Sequence, residues 1–273
     1  MLRDITIGQY YPSNSIIHRL DSRVKLVGTL AYVLSLFLFR NVFGFAAVTF
    51  GLAVLVKMSK VPFRYMVKGL RAIVIILVMT GLFNVFLTPG EPLWSFWKFT
   101  ITQEGLKNAG FMIIRLVYLI LGSSLLTLTT TPNQLTDGME KGLRPLNKIG
   151  VPVHEVSMMM SIALRFIPIL VEETDKIMKA QLARGADFES GNLIKKAKAM
   201  VPLLVPLFIS AFRRANDLAL AMEARCYRGG EGRTKMKPLK YEKRDRAAYL
   251  IIGGYFIGII LLRMLNFNFH IEN

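Results

Sequence analysis

The chain is poor in the residues that most often build a chemical centre. It has a single cysteine, Cys226, so no internal disulfide can staple it. Its three histidines, His18, His154 and His270, are far apart in sequence, which argues against a metal site. No GxxxxGK[ST] phosphate loop occurs, so the chain is not expected to bind ATP through that motif, and any ATP energy must come from a partner. A secretory signal is also missing. The first apolar run begins only near Val24, after Arg3, Arg19 and Arg23, and no small-x-small cleavage pattern follows early. The N-terminus is therefore expected to be retained, with the first span as its membrane address. Acidic residues are few as well: 18 Asp and Glu stand against 35 Lys and Arg, a net charge of +17.

Apolar residues are in excess. They make up 53% of the 273 residues, and the mean hydropathy is +0.42. The excess lies in runs at 24–39, 42–56, 72–87, 109–129 and 247–265, read as five transmembrane helices of an all-α membrane protein. The first two are short for a bilayer, which takes about 20 residues, and are joined at Arg40-Asn41 as a tight hairpin. The last carries Gly253, Gly254 and Gly258, small residues that let spanning helices approach closely.

Basic and basic-poor connections alternate. The N-terminal segment is basic, the first hairpin has only Arg40, and the next connection has Lys57, Lys60, Arg64, Lys68 and Arg71 with no acid. The loop 88–108 has only Lys98 and Lys107, with Trp94 and Trp97 suited to an interface belt. Residues 131–246 then hold 21 of the 35 basic residues. The positive-inside rule places every basic segment in the cytosol. The expected organisation is a cytosolic N-terminal segment (1–23), four transmembrane helices (24–130), a cytosolic insertion (131–246), and a last span with an outer tail (247–273). This bias accounts for most of the +17, so a nucleic-acid partner is not expected.

The insertion starts at Thr131-Pro132, a capping residue followed by proline in the first turn, and a short helix is predicted from there to about Lys148. A long helix is predicted over 153–184, with a kink near Pro168, and another over 193–225, with bends at Pro202 and Pro206. Their apolar parts, 156–171 and 200–212, are read as cytosolic amphipathic or buried helix; spanning helices are the alternative. Each long helix ends on an arginine between small residues: Ala183-Arg184-Gly185 and Ala224-Arg225-Cys226. Helix-dipole complementarity, about 0.3–1 kcal/mol, would explain one such arginine. The repetition points to docking, because an arginine at a helix tip is a permanently charged fork that can enter a partner's groove. When the triplets are superimposed, Glu172 and Glu173 fall on Arg213 and Arg214, opposite charges that could hold a helix crossing. Met158, Met159 and Met160, with the apolar run containing Leu203, Leu204, Leu207 and Phe208, suit an adaptable hydrophobic surface. Ordinary packing against the chain's own spans is the alternative.

These residues resemble the transmembrane T component of the energy-coupling factor (ECF) transporters, the EcfT or CbiQ-like superfamily. The similarity runs through Tyr11-Pro12-Ser13-Asn14-Ser15, His18-Arg19-Leu20-Asp21 and Lys25, then MMMSIALRFIPILVEE from Met158, AQLARGADF from Ala180, Arg213-Arg214-Ala215, AMEARCY from Ala221, and Arg233-Thr234. The resemblance implies a non-ATPase coupling subunit in the cell membrane, N-terminus cytosolic and C-terminus outside. It would join two cytosolic ABC-type ATPases, which carry the ATP and Mg, to a membrane-embedded substrate-binding S component for vitamin or micronutrient uptake. No cofactor is implied for this chain. By position, Arg184 and Arg225 would enter the two ATPases, with Ala183, Gly185, Ala224 and Cys226 as small neighbours, and the methionine and apolar surfaces would face the S component. The rival classes are a membrane enzyme acting on lipid or polyprenyl substrates and a basic membrane scaffold. Against a phosphatidyltransferase, Lys179-Ala180 stand where its Asp-Gly-x-x-Ala-Arg pattern needs Asp-Gly. Arg115, a charge within the fourth span, is read as structural rather than as part of a transport path.

Overall fold

The structure is a computed structural model and describes residues 10–38, 42–71, 73–90, 92–96, 99–188, 192–230, 236 and 239–269. The turn at Arg40-Asn41, Trp97, Arg233-Thr234 and His270 lie outside these residues. Every described element is a helix except one β-hairpin, so the chain is an all-α membrane protein. Its internal contacts form two units: Gly8–Met139 with Leu239–Asn273, and Met1–Ile7 with Glu140–Pro238.

The first unit contains α1 (Ser22–Leu38), α2 (Val42–Ser59), α3 (Phe63–Arg71), α4 (Val74–Leu87), β1 (Pro92–Phe96), β2 (Phe99–Thr102), α5 (Gln103–Thr129) and α9 (Lys243–Phe269). Helix α5 starts ahead of its apolar run because Thr102 caps it: the Thr102 hydroxyl accepts from the Gly105 N–H at 3.0 Å. Helices α1, α3 and α4 pack on α5, and α9 packs on α1. Their shared core includes Tyr32, Leu36, Val48, Met66, Leu121, Leu125 and Ile259. At Gly122 the approach is so close that a Cβ would collide with the Tyr32 ring. The Tyr32 hydroxyl donates to the Tyr118 carbonyl at 3.0 Å. The Arg115 guanidinium lies 5.8 Å and 5.9 Å from the Phe37 and Phe45 ring centres, a contact of cation–π type.

Two departures from the sequence reading lie here. The basic connection at 57–71 folds partly as α3, bent 63° from α4, because Met66 can bury completely while Arg64, Lys68 and Arg71 stay on other faces. The loop before α5 is built around the antiparallel β1–β2 pair. By length and composition, α5 and α7 (Val153–Ala183) could each cross a bilayer, and the bent α3–α4 pair would add a third such span. The stretch 156–171, read above as cytosolic, lies in α7 and so meets that criterion.

A polar knot closes the first unit. The Tyr11 N–H donates to Leu128 O at 2.9 Å. The Lys25 ammonium donates to His18 O at 3.1 Å and to Thr129 O at 2.8 Å, satisfying a carbonyl at the end of α5. Asp245, 2% exposed, accepts from the Asp21 N–H at 2.9 Å and the Glu242 N–H at 2.8 Å. The second of these is half of a capping box at the start of α9. His18 donates from Nε2 to Tyr11 O at 2.9 Å and accepts at Nδ1 from Ser15 at 2.7 Å. Burial pushes its pKa down and favours this neutral ring.

The second unit consists mainly of two long helices, α7 and α8 (Leu193–Ala224). Ahead of them α6 (Pro132–Leu143) begins on a full capping box: Gln134 N–H to the Thr131 hydroxyl at 3.3 Å, and Thr131 N–H to the Gln134 side chain at 3.2 Å. Residues Arg144–Ile149 tighten into a 3-10 turn instead of continuing α6. Pro145 lacks the N–H that an α-helix would need there. Pro168, Pro202 and Pro206 stay inside continuous helices.

Candidate functional site

The two arginine triplets adopt one backbone motif twice. In α7, Ala183 is the last helical residue, Arg184 the C-cap, and Gly185 the next residue with φ +85. The Gly185 N–H donates to Leu182 O at 3.0 Å and the Ala186 N–H to Gln181 O at 3.0 Å. In α8, Ala224, Arg225 and Cys226 repeat the arrangement. The Cys226 N–H donates to Glu223 O at 2.9 Å and the Tyr227 N–H to Met222 O at 3.0 Å. Both are Schellman caps, in which the residue after the C-cap turns left-handed so that the last carbonyls are satisfied. Glycine takes that conformation freely, whereas Cys226 holds it at φ +54, at a cost of roughly 1–2 kcal/mol for a residue with a Cβ. All six triplet residues are exposed. The caps thus strip each arginine of large neighbours and leave its guanidinium free to fork onto a carboxylate or carbonyl.

The same unit brings one expected pair together. Arg214 Nη2 donates to Glu173 Oε2 at 2.6 Å. The side chains are 37% and 28% exposed, so the pair is worth only about 0–1 kcal/mol of stability. Its neighbours, Glu172 and Arg213, are both exposed, and among the described residues no ion pair joins them. Eight residues further along α7, the Gln181 side chain donates to Pro202 O at 3.4 Å, twelve residues back along α8. The contact moves forward on one helix and backward on the other, so α7 and α8 run antiparallel and their arginine ends lie on opposite sides of the crossing.

The expected hydrophobic surface is only partly available. Met159 and Met160 are exposed and Met158 is half-buried; Leu204 and Phe208 are exposed and Leu207 is half-buried. Leu203 is a correction: it is buried, 6% exposed, because it points to the packed side of α8. The exposed face is continued by Val201, Val205, Ile209 and Phe212, which are spaced as one side of a helix.

Sequence reasoning missed a second polar cluster. Glu140 accepts from the Ser157 hydroxyl at 2.9 Å and pairs with His154 Nδ1 at 3.1 Å. Gly230 lies against the His154 ring so closely that a Cβ would collide with it. The i, i+3 spacing of His154 and Ser157 puts them on one helical face, but nothing in the sequence points to their shared carboxylate. Among the described residues no group of acidic, histidine or cysteine side chains is arranged to hold a metal ion.

Residues 13–236, which include both triplets and the crossing, match the family described as "Cobalt transport protein", CbiQ. The chain belongs to this family of transport proteins. It is 58% identical over 253 residues to the energy-coupling factor transporter transmembrane protein EcfT of Clostridium kluyveri, covering 92% of this chain and 93% of that one. It is 53% identical to EcfT of Thermosediminibacter oceani, covering 97% of this chain and all of that one. With EcfT of Bacillus subtilis it shares 47% over 268 residues, 98% of each chain. Like these EcfT proteins, the chain is the multi-pass transmembrane component of an ECF transporter, and the CbiQ/EcfT match embraces nearly every residue described above.

Proposed function

We propose that this transmembrane component is a coupling scaffold that grips two ABC-type ATPase subunits with Arg184 and Arg225 and holds a substrate-binding S component on the exposed apolar faces of α7 and α8. The observation that carries this reading is the repeated Schellman cap. Two exposed arginines, each the C-cap of the same type of motif, stand at opposite ends of an antiparallel helix pair, as two separate motor contacts require. ATP and Mg are assigned to the partners, and no cofactor to this chain. The proposed organisation keeps the N-terminus cytosolic, residues 131–246 as a cytosolic coupling region despite the apolar first half of α7, and the C-terminus outside. Met159 and Met160 on α7, and Val201, Val205 and Phe208 on α8, are exposed apolar faces on opposite arms of the crossing, and the methionines give a soft, adaptable surface suited to more than one S component. The cargo class is vitamins or other micronutrients, with selection made by the S component. The test is co-purification after Arg184→Glu with Arg225→Glu: the ATPases are lost while the chain stays in the membrane fraction. Undiminished ATPase recovery from the double variant contradicts the reading.

A further inference from the structure

The Glu173–Arg214 pair occupies a special place in the second unit. The two residues are 41 positions apart, the same interval that separates Arg184 from Arg225, so each stands eleven residues before its own tip. The contact therefore joins the two antiparallel helices at points equally distant, in residues, from their tips. Each tip is therefore about 16 Å from the pair along its helix, and the tips are on the order of 30 Å apart in opposite directions. Besides this pair, the Gln181–Pro202 hydrogen bond and buried Leu203 lie between the two helices. Phe208, Ile209 and Phe212 beside the pair are exposed on α8.

We infer that Glu173 and Arg214 are a positioning pair, the pivot that fixes how far apart and at what angle the two arginine tips are presented. The inference rests on the docking reading for its purpose but not for its geometry. Because the two arms beyond the pair are both eleven residues long, a change of crossing angle there moves both tips by similar amounts, so the pair sets the tip separation. The 2.6 Å charge-assisted bond is short and directional. Arg214 Nε is buried although the side chain as a whole is 37% exposed, so the guanidinium rests with one edge against the protein and the other open to solvent. The neighbouring Glu172 and Arg213, also equivalent to each other, are both exposed, so the helix that brings Glu173 to Arg214 turns them away from the crossing.

The experiment uses the full chain in nanodiscs with nitroxide labels on the native Cys226 and on Ala183→Cys, read by pulsed electron spin resonance. The parent is expected to give one narrow distance on the order of 30 Å. Glu173→Arg, which places two arginines at the crossing, and Arg214→Glu, which places two glutamates there, should each broaden the distribution or shift it by a helical turn, ~5 Å. The charge-swapped Glu173→Arg with Arg214→Glu should restore the parent distribution. Single variants that match the parent, or a swap no better than the singles, overturn the inference. Glu172→Arg is the control and should leave the distance unchanged; an equal effect from it would also overturn the inference. The distance is measured without ATPases, so it can succeed where the docking reading fails, and the two failures are told apart.

Discussion

The two units of this chain solve opposite problems. The one formed by residues 8–139 and 239–273 has a contiguous apolar core and a polar knot that joins its N-terminal segment, α1, the end of α5 and the start of α9. The one formed by residues 140–238 buries few side chains, among them Val153, Ser157 and Leu203, and leaves a row of large apolar residues open along α8. Contiguous exposed apolar surface on a helix marks a site for partners or membrane rather than a finished core. The contrast separates a unit with its own packed core, the body, from a helix pair that, in the proposed reading, acts as levers completed by what they bind.

The largest effect should come from breaking the levers at their tips. Each arginine, if it is an interface hot spot, is worth about 2 kcal/mol or more, roughly 30-fold in affinity. Arg184→Glu with Arg225→Glu should therefore abolish ATPase co-purification while leaving the melting temperature in detergent unchanged. The body should respond in the opposite way. Asp245→Ala leaves the Asp21 and Glu242 N–H groups without their acceptor in a buried site, which should cost about 2–4 kcal/mol. Thermal unfolding in detergent should show that loss, with ATPase affinity per folded molecule intact.

Smaller changes sharpen the same division. Cys226→Gly relieves a left-handed residue and should stabilise the cap by about 1 kcal/mol, seen as slower amide exchange at residues 222–227 without altered docking. His18 gives the smallest effect. Its pKa is lowered in the folded chain by burial, so the unfolded chain takes up the proton first as pH falls below about 6.5. The stability this neutral ring contributes is complete above that pH and declines below it, down to the lowered folded pKa. The melting temperature should fall between pH 7.5 and pH 5.5, and His18→Gln should flatten that fall.

Much of the second unit was legible because its signals are local. Gly185 marks a stop, and the repeat of Ala-Arg-small predicts two equivalent ends, just as Thr131-Pro132 marks the helix start that leads into this unit. Superimposing the triplets found the Glu173–Arg214 contact but could not exclude Glu172–Arg213, since choosing between adjacent residues requires the helical rotation at the crossing. The same rotation buries Leu203 and exposes Val205. Cys226 concealed its left-handed backbone because only tertiary context and the two cap bonds hold a non-glycine there. In the body, the run at 24–39 and the long run before Thr129 were plain. The Asp245–Asp21 bond spans 224 residues, and the meeting of Glu140 with His154 and Ser157 depends on the fold of the intervening turn. Neither leaves a periodic trace.

The central claim is that the two arginine ends are separate contacts for two ATPase subunits. It is tested most directly with a photo-activated thiol crosslinker carried at once on the native Cys226 and on Ala183→Cys, within the assembled transporter. The account predicts a covalent product of one chain with two ATPase subunits, identified by mass spectrometry. A product that never exceeds one ATPase per chain, or that contains none, would contradict it.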